Sequence, residues 1–403
     1  MDIDSTSPAA PRPAGALALY AFTVAAFFAA SSAPTPLYRL YQAAWGFSPA
    51  MLTLVFGAYA FSLLAALLTV GSLSDHLGRH RVILGGIALE VLAMLLFADA
   101  HTVAALLVAR VLQGFATGAA TSALGAAILD TSRTKGSLVN ALSPLIGMAV
   151  GALGSAVLVR YAPAPMRVVY LVLIAMFVLQ ASFLRSMPET VSRVPGAWAS
   201  LMPRVRVPQA ARAAMLRIAP VNIAVWALGG FYLSLGPTLA RAVTGSDNLL
   251  LGGWVVFALT TSGLVAIVVL RAMSTLHIVM TGATALALGL LITLAGVHAF
   301  NAPIFFLGTC VAGVGFGAAF QGGLRSVLPL AAAHERAGLM AAFYVLSYLA
   351  FSVPAIVAGT MTHIIGLRMT TDVYGLALTA LATVTLLASV ASRNSMAGEK
   401  SRA

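Results

Sequence analysis

Gly71-Ser-Leu-Ser-Asp75-His-Leu-Gly78-Arg79-His-Arg81 is a charged island between two long apolar runs. No charged side chain occurs from Leu40 to Ser74, and apolar character resumes directly after Arg81. A few charges confined between two such segments read as a tight turn at a membrane surface, with Gly71 and Gly78 allowing close approach of turn and helix. Asp75 and Arg79 are four apart, so they can pair locally or reach for a neighbouring helix end.

The whole chain supports that reading. With 60% hydrophobic and 8% charged residues among 403, it departs from the roughly 25% charged of soluble domains. An all-α integral membrane protein is expected. Uncharged stretches of span length occur at about 15–38, 50–74, 82–100, 102–128, 138–159, 168–186, 216–239, 248–270, 276–297, 302–324, 336–360 and 372–392, which makes twelve transmembrane helices.

A net charge of +12 would suggest nucleic acid in a soluble protein, but here topology accounts for it. Placing both termini in the cytoplasm puts seventeen Arg and Lys on that side and five on the other, with Arg110 left inside a span. The expectation is a multi-pass protein of the cell (inner) membrane, without a cleaved leader because the first apolar run is long enough to span. The single Cys310 excludes an intramolecular disulfide framework. Lys135 and Lys400 are the only lysines and neither follows glycine, so a phosphate-binding Gly-Lys-Ser/Thr loop is absent and an ion gradient must supply energy. No His or Cys cluster has zinc spacing, and neither metal nor cofactor is expected.

The loop Gly71, Leu73, Asp75, Gly78, Arg79 resembles the signature between helices 2 and 3 of the major facilitator superfamily of secondary transporters, although His76 and His80 stand where that family usually has Arg or Lys. Leu106 to Gly118, with Arg110, Gln113, Gly114 and Gly118, is similar to the family's fourth-helix motif. The resemblance implies two pseudo-symmetric six-helix bundles that rock about a central site, most like the twelve-helix drug/proton antiporters. Internal similarity agrees: Pro34 matches Pro237 and Gly114 matches Gly313, at offsets of 203 and 199. The bundles are expected at 1–187 and 215–403, joined by the Pro- and Arg-rich cytoplasmic linker 188–214. Arg271 to His277, the second-half counterpart of the charged loop, lacks the carboxylate and the glycine.

Arg110 lies about 12 Å into its span and needs a partner or a wet cavity. Glu90 is the only carboxylate well inside a span, and a turn near His101 brings it to similar depth. The expectation is a buried Glu90–Arg110 ion pair, with Gln113 beside it, whose carboxyl exchanges a proton as helices move. By resemblance, Arg79 and Asp130 form a cytoplasmic latch while Asp75 caps a helix of the other half. A local Asp75–Arg79 pair is the alternative. Gly147 and Gly151 mark a groove for close packing. The antiporters' proline and closing glycine pair are missing from that helix.

Asn222 and Trp226 share a face of the seventh span, and Tyr344, Ser347 and Tyr348 share one of the eleventh. With Gln321 of the tenth, they are expected to line a cavity for an amphipathic organic ligand. Tyr38, Tyr41 and Trp45 read as interfacial anchors. The resulting expectation is a monomeric, non-enzymatic, proton-coupled exporter of small amphipathic organic compounds, without nucleic-acid partners. An uptake symporter or facilitator is the second reading, and a non-transporting receptor the third.

Overall fold

The structure, a computed structural model, describes residues 15–191, 194–332 and 334–400. Arg12, Arg193 and Arg402, counted in the charge asymmetry, lie outside them. Among the described residues the chain is all-helical and multi-pass. The spans are α1 (Ala16–Trp45), α2 (Pro49–Thr69), α3 (Arg79–Ala98), α4 (Val103–Thr131), α5 (Arg133–Tyr161), α6 (Pro165–Arg185), α7 (Gln209–Ser234), α8 (Leu250–Leu270), α9 (Thr275–His298) and α10 (Ala302–Leu330). The last long helical run, Arg336–Lys400, is non-helical at Gly366 (φ 80°, ψ 162°), and we treat its limbs 336–365 and 367–391 as α11 and α12.

That bend is a reversal. Ser347 bonds Asn222 of α7, and Ala355 stands against Gly230 further along α7; beyond Gly366, Tyr374 bonds the Ala227 carbonyl and Thr385 meets Val221, so the chain returns. Residues 361–371, expected as a loop, are therefore helical on both sides of one glycine. The positive φ at Gly366 is cheap only without a Cβ.

Other boundaries shift for local reasons. α1 runs to Trp45, because Pro34 and Pro36 sit at the first turn of its second segment, Pro34–Trp45, where a missing N–H costs little. α7 begins at Gln209, several residues before the expected span, and carries Arg212 and Arg217 on an exposed extension. It is followed by the short helix Gly236–Thr244.

The charged loop, the 186–208 connection and the ends of α4, α5, α10 and α11 share one end of the molecule, called the basic face below. Packing between the two halves is concentrated toward the opposite face. Gly57 and Gly359 let α2 cross α11: a Cβ on Gly57 would sit 2.7 Å from Ile356 Cδ1, and one on Gly359 would fall within the Thr53 side chain. Phe56 and Phe351 rings lie 5.0 Å apart at that crossing. Gly253 of α8 seats on Ala152 and Ala156 of α5 in the same manner. Arg39 (3.2 Å) and Arg241 (2.8 Å) both reach Asp247, tying the halves at the opposite surface.

Candidate functional site

At the basic face the sequence folds into a clasp around Arg79. Gly78 (φ 100°) breaks the chain between the short helix Leu73–Leu77 and α3, which points the Arg79 side chain back into the bundle. Its guanidinium pairs with Asp75 (2.5 Å) and Asp130 (3.3 Å) and donates to Ser74 Oγ (2.7 Å). The structure thus brings Arg79 and Asp130 together, but places Asp75 on Arg79 rather than on a helix of the other half. Arg79 is four residues on and already buried, so the local carboxylate reaches it first.

Glu189, which sequence reasoning missed, completes this clasp. Its Oε1 accepts from the Arg79 backbone N–H (2.9 Å) and its Oε2 from that of His80 (3.3 Å). These are two of the four unsatisfied donors at the start of α3, so a carboxylate 110 residues away does the work of an N-terminal cap. The 186–208 connection also touches the loop through His76 to the Val194 carbonyl (2.8 Å) and Ser72 to Ser200 (3.1 Å). Gly71 abuts the Leu67 carbonyl in the last turn of α2.

Deep in the first half, Arg110 is 0% exposed and fully partnered. Its Nε donates to Tyr38 Oη (2.7 Å), and Nη2 also reaches that hydroxyl. Its Nη1 donates to the Ser31 carbonyl (3.0 Å) and to Gln113 Oε1 (2.6 Å). The guanidinium lies over the rings of Tyr59 (5.3 Å), Tyr38 (5.4 Å) and Phe97 (5.8 Å). Tyr38 is therefore no interfacial anchor; the extension of α1 past Pro34 carries it inward.

The expected direct Glu90–Arg110 ion pair is absent. Gln113 stands between them, with its Nε2 donating to Glu90 Oε1 (3.1 Å) and to the Ala30 carbonyl (3.0 Å). The short i, i+3 reach of Gln113 along α4 lets it satisfy Arg110 before Glu90 on α3 can. Glu90 Oε2 and Tyr59 Oη are buried without a hydrogen-bond partner, and the neighbouring Thr117 hydroxyl is committed to the Gln113 carbonyl. The close approach that brings these groups together comes from Gly114 and Gly118, seated on α2 at Tyr59, Leu63 and Ala66, and from Gly147 and Gly151, seated on α1 at Ala25, Phe28, Ala29 and Ser32.

The predicted cavity residues gather in the second half, between mid-depth and the basic face. Asn222 Nδ2 donates to Ser347 Oγ (2.9 Å). The Trp226 ring lies 4.9 Å from Tyr348 and 6.0 Å from both Phe320 and Phe351, with Tyr344 6.1 Å from Tyr348. Asn222 Oδ1, Trp226 Nε1 and Gln321 Oε1 are buried with no protein partner. Buried polar atoms are rarely left unpaired, so the two of Asn222 and Trp226, one turn apart on α7 against these rings, mark a place where something else supplies the bonds. Tyr59 of the first half shares a hydrophobic cluster with Tyr348 and Phe351, which links the charged network to the aromatic one.

A family model described as Major Facilitator Superfamily matches residues 20–353. A "Multidrug resistance protein MdtL" of Klebsiella pneumoniae is 32% identical over 121 residues, which is 29% of this chain and 31% of that protein, so the chain matches under a third of that relative's length. Among solved structures, a nucleoside transporter, NupG, superposes with a TM-score of 0.68 at 14% identity, covering 92% of this chain and 98% of that one. A bacterial homologue of the human lysosomal transporter Spinster, in an inward-facing and unoccupied conformation, gives 0.70 at 13% identity, covering 93% and 96%. At such identities these two structures show the shared fold.

Proposed function

The chain belongs to the Major Facilitator Superfamily, and from that premise we propose that this transporter is a proton-coupled exporter of small amphipathic organic compounds, working by alternating access. A transporter of this family is a carrier rather than an enzyme, and its substrate is a small molecule met within the membrane. The observation that carries the proton coupling is the orphaned Oε2 of Glu90, the one carboxyl at depth among the described spans, hydrogen-bonded through Gln113 to an arginine that keeps its charge. A carboxyl with a free oxygen in such a place is a site for a proton to reside, and rearrangement of Gln113 or Tyr59 changes how strongly the guanidinium opposes that.

The expected positive-inside orientation makes the basic face cytoplasmic and both termini internal. On that orientation the α2–α11 and α5–α8 crossings close the external side, and the aromatic face lies on the cytoplasmic side of them, where an exporter loads. The two six-helix halves, 1–187 and 215–403 with 188–214 between them, then move as units, and the Arg79 clasp holds the cytoplasmic end of the first. The partial similarity to a multidrug resistance protein supports export over uptake, and the aromatic site supports an amphipathic ligand. The protein functions as a monomer of the inner membrane in this reading.

The test is transport in proteoliposomes with an imposed pH difference: uphill movement of substrate against an inward proton flow supports the reading, and uphill movement in the same direction as the proton refutes it in favour of uptake symport.

A further inference from the structure

The placement of charge over the whole molecule narrows what the aromatic site accepts. Among the described residues the Asp, Glu, Lys and Arg side chains that are buried are Arg79, Glu90 and Arg110, and all three belong to the first half. Glu90 and Arg110 are themselves 0% exposed and engaged through Gln113. The face formed by Asn222, Trp226, Tyr344 and Tyr348, in the second half, therefore offers a ligand no buried formal charge of either sign. An ion entering it would shed water without meeting a counter-ion, which is unfavourable at this depth.

What the face does offer is one unpaired donor, Trp226 Nε1, and one unpaired acceptor, Asn222 Oδ1, one turn apart on α7, with Asn222 read as turning its nitrogen to Ser347. A quaternary ammonium could stack on the rings, but it brings no acceptor for Trp226 and no proton for Asn222. A planar uncharged group that both accepts and donates satisfies both. We propose that the substrate class is an uncharged aromatic molecule carrying a donor and an acceptor on one edge, as a carboxamide does. This rests on the reading of this face as the substrate site.

The consequence is electrical: exchange of an uncharged molecule for a proton moves net charge, whereas exchange of a monovalent cation for a proton does not.

Three naphthalene probes of similar size test it: naphthalene-2-carboxamide, 2-naphthoate and 2-naphthylmethylammonium, each titrated against the purified full chain with unfolding temperature as readout. The expected result is saturable stabilisation by the carboxamide at concentrations at least tenfold lower than for either ion, and a roughly tenfold loss of that affinity in Trp226→Phe, which keeps a ring but removes the donor. Ammonium binding as tight as carboxamide binding, no saturable carboxamide binding, or an unchanged carboxamide affinity in Trp226→Phe overturns the assignment. The export reading fails separately: carboxamide that binds and crosses proteoliposomes without moving protons refutes the coupling and leaves the substrate class standing.

Discussion

Glu90→Gln isolates the proton step, because the substitution keeps shape and an amide oxygen to accept from Gln113 Nε2 while removing the titratable group. In the wild type, Glu90 is 0% exposed, its Oε1 sits 3.1 Å from Gln113 Nε2, and Oε2 is unpaired. Arg110 does not release its proton, so one carboxyl at depth implies one proton per cycle. Each pH unit across the membrane then supplies about 1.4 kcal/mol, enough for a tenfold substrate gradient. For an uncharged substrate, 100 mV of membrane potential adds about 2.3 kcal/mol. Proteoliposomes holding the wild type at a difference of two pH units, with the potential clamped at zero, should sustain roughly a hundredfold gradient. Glu90→Gln should let the gradient relax to unity while downhill flux and counterflow continue. A variant that still accumulates substrate to the wild-type ratio refutes Glu90 as the proton site, and loss of downhill flux as well refutes the claim that its role is confined to coupling.

Gln113→Leu should lower stability by about 2–5 kcal/mol, since two charge-assisted bonds and one to a carbonyl are lost in a buried site, and thermal unfolding in detergent reads it. Charge reversal at either Arg79 or Asp130 should impair transport, and the double reversal should restore part of it; absence of any restoration in the pair argues that their contact carries no function. Asp247→Asn should change the unfolding temperature little, because its two arginine pairs are solvent-exposed, yet should raise labelling of cysteines placed beneath it from the external side.

Much of this architecture could be read from the chain because a bilayer enforces it. Ionisable groups mark span ends, so the charge-free runs located α2 to α10 to within a few residues, α7 excepted. The reversal between α11 and α12 was legible from the polar stretch that separates the two apolar runs, but its compression onto the single residue Gly366 was not, since the positive φ there depends on α12 packing back on α9 and α7. Tyr38 was misread because Arg39 ends the charge-free run beside it, while the prolines sit at helical first-turn positions and let the helix continue. Residue types flagged Arg110, Gln113 and Glu90 individually, but the order Arg110–Gln113–Glu90 depends on reach across two helices. Glu189 left no signal at all, because its partners are backbone N–H groups, which every residue has.

The two networks divide the chemistry between the halves in a way that bears on how coupling could operate. Among the described residues the first half holds the only deep charges, and Tyr59, over whose ring Arg110 lies, packs in the same cluster as Tyr348 and Phe351 of the aromatic face. The second half holds the aromatic face and no deep charge. A proton and an uncharged ligand therefore need not compete for one residue; they can compete through Tyr59, whose ring carries the guanidinium on one side, whose hydroxyl is unpaired, and whose packing is shared with Tyr348 and Phe351. If that is the route, Tyr59→Phe should leave each binding event close to intact and weaken the dependence of one on the other. Carboxamide affinity measured at two pH values would then become the same in Tyr59→Phe while differing in the wild type. An undiminished pH dependence in the variant would place the coupling in the rigid movement of the halves instead.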